Sequence, residues 1–147
     1  MGHLKVAADG NLPPERFIHA LTDFGPDRTR WWGNSSDGLL EVHERVDTWA
    51  DVTEGTASSG IWQRYRYDWS SPGRDRLEVV ERNTFGPGSS WTYDVSGTED
   101  RAHVELTIVR VPIGLRGRLF DVLLTVIGST YFRRDLRATL AKLETVS

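Results

Sequence analysis

The 147-residue chain has no cysteine. Disulfides, thiol nucleophiles, iron–sulfur clusters and cysteine-ligated zinc are therefore excluded, and the redox compartment stays open. Long hydrophobic runs are missing too. The greasiest stretch, Val122-Leu123-Leu124-Thr125-Val126-Ile127-Gly128, falls far short of the ~20 residues of a bilayer-crossing helix. No apolar run follows Met1-Gly2-His3-Leu4-Lys5, so no secretory signal is expected; the sequence reads as cytoplasmic, without integral membrane association. Neither sign of charge dominates: 18 Lys+Arg against 21 Asp+Glu give −3. That balance names no nucleic-acid partner. Internal repeats, a Gly-rich phosphate loop, a G-x-S-x-G elbow and an H-E-x-x-H pair are all lacking, so no metal and no cofactor is expected. What the chain does hold is aromatic: six Trp, four Tyr and five Phe, 10% of its residues. Such an excess serves either a core or an aromatic-lined cavity.

At ~100–200 residues per domain, residues 1–147 are expected to form a single domain. A short edge strand, Leu4–Ala7, opens the chain and looks weak where it runs into Asp9-Gly10-Asn11. Leu12-Pro13-Pro14-Glu15-Arg16-Phe17 starts a helix, because proline suits a first turn where its missing N–H costs nothing. Gly25-Pro26 stops it, and Asp27 to Trp32 make one further turn. From Leu39 to Val111 the period changes to two. Six strands are expected, at Leu39–Val46, Thr48–Glu54, Ile61–Trp69, Arg76–Thr84, Ser90–Ser96 and Ala102–Val111. Short links between them favour an antiparallel meander. A long helix follows, from about Leu115 or Arg118 to Leu143, apolar over most of its circumference in its first half. Residues 115–147 carry six basic and three acidic side chains, either a solvated face or a docking surface for an acidic partner or membrane headgroups. An antiparallel sheet must cover its apolar face, and only the last helix is long enough to do so. The expected class is α+β, a curved sheet of about seven strands wrapped on the C-terminal helix.

Strand phase selects the inward residues. Gln63, Tyr65, Tyr67 and Trp69 share one face of their strand, and Glu81 and Asn83 follow Leu77 and Val79 on the next. Trp91 and Tyr93 come from the fifth strand of the meander, and Leu106, Ile108 and Arg110 from the sixth. Phe120, Leu124 and Ile127 face them from the helix, and Trp32 edges the opening. These are the candidate pocket residues. Buried phenols and indoles want hydrogen-bond partners, and an unpaired buried charge is costly. Gln63, Glu81, Asn83 and Arg110 must therefore pair, reach water at the rim, or line a wet pocket. Glu81 and Arg110 are the candidates for catalytic work, Glu81 as general acid/base and Arg110, with Asn83, as stabiliser of an enolate-like oxygen. His43 and His103 fall on the opposite face and read as solvent residues. So do Trp62, Arg64 and Arg66, which could together form an interaction surface.

Three segments resemble a known family. They are Leu12-Pro13-Pro14-Glu15-Arg16-Phe17 continuing to Leu21-Thr22-Asp23-Phe24, the pair Trp31-Trp32, and the tail Gly114-Leu115-Arg116-Gly117-Arg118-Leu119 with Arg133-Arg134-Asp135-Leu136. In this order, around a meander, the chain resembles the START-like (SRPBCC, Bet v 1-like helix-grip) superfamily, in particular its bacterial polyketide cyclase/dehydrase and lipid-transport branch. The resemblance implies a hydrophobic cavity between sheet and helix, taking a lipid, a polyketide or another apolar small molecule. It carries no universal catalytic set. Three readings stay open: a binder or carrier of an apolar small molecule, a cyclase/dehydratase-type enzyme acting in the same cavity, and a protein-interaction module. Ligand identity and a homodimeric state are also left open.

Overall fold

The computed structural model describes residues 2–25, 28–32, 40–56, 61–82, 88–111 and 114–145. Strand β1 (Gly2–Gly10) leads into helix α1 (Pro14–Leu21) and the single-turn α2 (Arg28–Trp31). The meander is β2 (Glu41–Arg45), β3 (Trp49–Thr56), β4 (Ile61–Asp68), β5 (Arg74–Arg82), β6 (Ser90–Thr98) and β7 (Arg101–Arg110), followed by α3 (Gly114–Glu144). The seven strands form one antiparallel sheet in the order β1-β7-β6-β5-β4-β3-β2. With a long C-terminal helix across it, this is the α+β helix-grip arrangement.

Each expected strand is present; the expected bounds at Leu39 and at Asn83-Thr84 lie outside the described residues, and other ends are shifted. The one-residue break after Val46 is a true hairpin, because the Val46 N–H donates to Trp49 O at 2.9 Å. The β6–β7 hairpin depends on Gly97, whose φ is +137° and whose missing Cβ would stand 2.0 Å from the Arg101 carbonyl oxygen. Proline starts α1 as expected, with Pro13 at the N-cap in extended backbone and Pro14 at the first helical position.

The expectation of a short, weak first strand is corrected. β1 pairs with β7 along its whole length, from Gly2↔Arg110 to Gly10↔Ala102. Val6 and Ala8 alternate into the core, with Leu4 packed against it, so the strand has an apolar inner face that its four-residue reading truncated. Its end is clamped. A Cβ on Gly10 would lie 2.6 Å from Leu12 Cδ2 and 3.0 Å from Leu140 Cδ2, and the Asn11 N–H donates to Glu144 Oε1 at 2.6 Å. The last turns of α3 bury Leu136, Leu140 and Leu143. There Thr139 Oγ1 donates to Trp31 O at 2.8 Å, tying α3 to α2. The core thus sits between the β1 side of the sheet, α1 and the C-terminal half of α3.

Candidate functional site

Alternation along the strands builds the inner face. β7 turns Ala102, Val104, Leu106, Ile108 and Arg110 inward, all buried, and β6 turns in Tyr93 and Val95. β4 contributes buried Gln63, Tyr65 and Tyr67, with Trp69 half-buried. The rings meet edge to face: Tyr65 with Tyr67 at 6.0 Å and with Trp91 at 5.7 Å, Tyr67 with Phe24 at 4.9 Å, and Phe17 with Trp32 at 5.7 Å. Such pairs add directional attraction to the area they bury. Trp32 also donates its indole N–H to Ala20 O at 3.2 Å. Most of the sequence-predicted set is therefore brought together on one wall.

One predicted residue falls elsewhere, and three are not described. Ile127 was expected against the sheet, but it is 45% exposed. Leu124 is half-buried on the side that carries Gly128, where a Cβ would meet Leu4 and Arg110. The early half of α3 is apolar on nearly every side, so hydrophobic period alone selects no face there. Asn83 and the side chains of Glu81 and Phe120 lie outside the described residues. For Glu81, a bulge intervenes: Tyr65 pairs Val79 while Arg64 pairs Glu81.

The most highly engaged polar group on this wall is one the sequence reading missed. Arg28 of α2 is buried against Glu54 of β3 and Tyr67 of β4. Its Nε donates to Glu54 Oε1 at 3.0 Å and its Nη2 to the Tyr67 hydroxyl at 2.7 Å, while Nη1 donates to Leu21 O at 2.8 Å and Asp23 O at 3.0 Å. Tyr67 in turn donates to Glu54 Oε1 at 2.5 Å. The guanidinium thus satisfies carbonyls at the C-terminal end of α1, where a cation is favoured, and it lies 4.6 Å from the Phe24 ring centre. Burial works against its charge, but Tyr67 and Glu54 outweigh that and hold its pKa above the arginine norm. Burial, reinforced by Glu54, keeps the Tyr67 phenol well above its ordinary value despite Arg28. With all three guanidinium nitrogens engaged, Arg28 acts as a strut between α1, α2 and the sheet. Glu54 was legible in principle, being in phase with the apolar Ala50 and Val52.

Other inward polar atoms have no hydrogen-bond partner among the described residues: both carboxyl oxygens of Asp75, Gln63 Oε1, Arg110 Nε and Nη1, and Asp121 Oδ1. Asp75, the second residue of β5, pairs with Tyr93 and is fully buried. Burial pushes its pKa up to about 8, against an opposing pull from Arg28. The nearby Asp68 carboxylate adds to the rise. Gln63 spends its amide N–H on the Tyr65 hydroxyl at 2.8 Å, leaving its oxygen open. Arg110 faces Asp121 of α3 with Nε 3.0 Å from Oδ1. The distance is that of an ion pair, but the direction is not that of a hydrogen bond.

On the outer face, Arg64 makes a two-pronged pair with Asp51, both contacts at 2.7 Å, and Arg66 lies 4.3 Å from the centre of the Trp49 ring. His103 Nδ1 meets Asp9 at 2.6 Å in the open. No group of three or more potential metal ligands occurs among the described residues.

This architecture is that of the START-like, SRPBCC helix-grip fold. Among solved structures, the chain is similar to the Zhui aromatase/cyclase from a Streptomyces species, with a TM-score of 0.80 at 15% identity over 97% of this chain and 93% of that one. A START superfamily protein from Mycobacterium smegmatis gives 0.75 at 8% identity over 99% of both chains. A major latex-like protein from Panax ginseng gives 0.68 at 12% identity, over 98% and 95%. No family model matches the sequence, and no curated protein does.

Proposed function

We propose that the chain binds a hydrophobic small molecule between the inner face of the sheet and the N-terminal half of α3. One observation carries the reading. Arg110 is 2% exposed, yet its Nη1 lacks a hydrogen-bond partner among the described residues and lies 3.7 Å from where a Cβ on Gly128 would be. Native interiors leave few such groups unmatched, and each one asks for a water or a ligand. The surroundings are apolar: Leu4 and Leu124 stand on either side of Gly128. An occupant with an apolar body and one acceptor oxygen matches that environment, with Gln63 and Trp91 on the facing wall. All these groups come from one chain, so the reading needs no second copy.

Native mass spectrometry of the purified protein tests it by looking for a co-purified apolar molecule, alongside saturable binding of Nile red. Gly128→Phe would fill the space beside Arg110 and is expected to abolish both signals. Absence of any ligand, together with dye binding that Gly128→Phe leaves unchanged, would overturn the proposal.

A reaction of the cyclase or dehydratase kind is the second reading. It draws support from the likeness to an aromatase/cyclase and from Asp75, whose proton is held to about 8, within the range useful for proton transfer near neutrality. The interaction-module reading has less support on the outer sheet face, where Arg64 is engaged by Asp51 and Arg66 stacks on Trp49.

A further inference from the structure

The outer surface of α3 has a composition that neither the core nor the interior site explains. Leu115, Leu119, Val122 and Val126 recur every four or three residues, so they form one row along the helix. They are 76%, 63%, 64% and 76% exposed, and Leu123 and Ile127 flank them, also exposed. The opposite row is the inner one, carrying buried Gly117 and Gly128, half-buried Leu124, and Asp121 turned to Arg110. The apolar row therefore faces away from the sheet.

Charge on this helix is sorted by side. Arg118 lies at one end of the exposed row, and Arg133, Arg134 and Arg137 continue it at the other, all exposed. None of the four has an acidic partner among the described residues. Between Gly114 and Ala138 the only acids are Asp121 and Asp135. Asp121 is turned to Arg110, and Asp135 is half-buried, close enough to the inner-face Tyr93 to raise its pKa. The outer face is thus an apolar strip with cations at both ends and no anion.

We propose that this face docks on the surface of an anionic phospholipid bilayer. A helix lying in the interface sinks an apolar row to the headgroup–acyl boundary while arginines reach up to the phosphates. The thirteen residues Leu115–Ile127 provide a strip ~20 Å long at 1.5 Å per residue. No helix here is long and apolar enough to cross the membrane among the described residues, so the contact is peripheral. A second copy fits less well. It would bring to this face only the same apolar row and arginines, with no acid of its own outer face to pair with them. This proposal concerns the outer face of α3 and does not depend on what the interior binds.

Co-sedimentation of the full chain with vesicles tests it, using phosphatidylcholine alone and phosphatidylcholine mixed with phosphatidylserine. The expected result is binding to the mixed vesicles that weakens with added salt, and little binding to the neutral ones. The double variant Leu119→Glu/Val126→Glu should abolish it; both positions are exposed, so unchanged circular dichroism and urea midpoint would show the fold intact. Arg133→Gln/Arg134→Gln should lower partitioning about 25-fold, at about fivefold per arginine near an anionic surface. Equal binding to both vesicle types, no binding to either, or binding indifferent to these variants would overturn the proposal. So would a dimer in sedimentation equilibrium that Leu119→Glu/Val126→Glu dissociates, because a second copy would then own the face.

Discussion

Arg28 is buried yet donates from all three of its guanidinium nitrogens, whereas Asp75 is buried with neither oxygen hydrogen-bonded among the described residues. The two therefore respond differently to substitution. Glu54→Gln keeps the shape of the Arg28 partner and removes its charge. Breaking a buried pair from one side costs ~3–5 kcal/mol, and that loss is expected in urea unfolding. Arg28→Met should cost more, because Leu21 O and Asp23 O also lose their donor. Asp75 controls a pH dependence instead. Its carboxyl titrates at about 8 in the folded state against an ordinary 3.8. Between those values the folded state holds a proton the unfolded chain has lost, so stability must fall as pH rises through that window. Below it both states are protonated and the penalty vanishes; above it the penalty is complete. Asp75→Asn removes the titration. Relative to the variant, the wild-type protein should lose stability from about pH 5 to pH 8, at ~1.4 kcal/mol per unit in the limit. Urea midpoints at several pH values check this, and parallel profiles would show that Asp75 is solvated or paired.

Helix α3 is two different elements joined end to end. Its C-terminal half has one buried stripe, Leu136, Leu140 and Leu143, which the 3.6-residue period alone identifies. Its N-terminal half is apolar around most of its girth, and there the inner face is marked by small residues, Gly117 and Gly128. That is why Ile127 was placed wrongly and Leu124 acceptably. Gly128 is also a place where the helix can be improved. A Cβ there would meet Leu4 Cδ2 at 3.4 Å, Leu124 Cβ at 3.5 Å and Arg110 Nη1 at 3.7 Å, so only a small shift of Leu4 is needed. Alanine is better than glycine in a helix interior by ~1 kcal/mol. Gly128→Ala is expected to raise the unfolding free energy by up to that amount, read as a higher urea midpoint; a loss would mean that Leu4 cannot give way. Elsewhere, legibility followed regularity. Strand alternation placed Tyr65, Tyr67, Tyr93 and Ile108 correctly because each strand's phase is set locally. Glu54 obeyed the same rule, one step beyond Ala50 and Val52. Asp75 lay one residue before the expected start of its strand, and Arg28 sits in a single helical turn, where no period exists to read.

At the scale of the whole molecule, the sheet has two unlike edges. β2 is exposed at every one of its five residues, while β1, the other edge strand, is covered by α3 and held at its end by Leu12, Leu140 and Glu144. The chain's first strand and its last helix thus close the fold together, through contacts between residues more than a hundred positions apart. Pairings this distant cost loop entropy before they return anything, which favours slow, cooperative folding. A symmetrical sheet would make equal substitutions at its two edges equally costly. This one should not. Val6 on β1 is 2% exposed and Val42 on β2 is 41% exposed. Val6→Ala removes two methyl groups from a packed site and should cost ~2 kcal/mol, whereas Val42→Ala should stay within ~0.5 kcal/mol of wild type. Urea unfolding of the two variants measures the difference directly. Equal losses would mean that the β2 edge is covered in solution, by a partner or another part of the chain. A loss confined to Val6 would place the sheet's stabilising edge at β1, under the same helix whose outer face carries the proposed membrane contact.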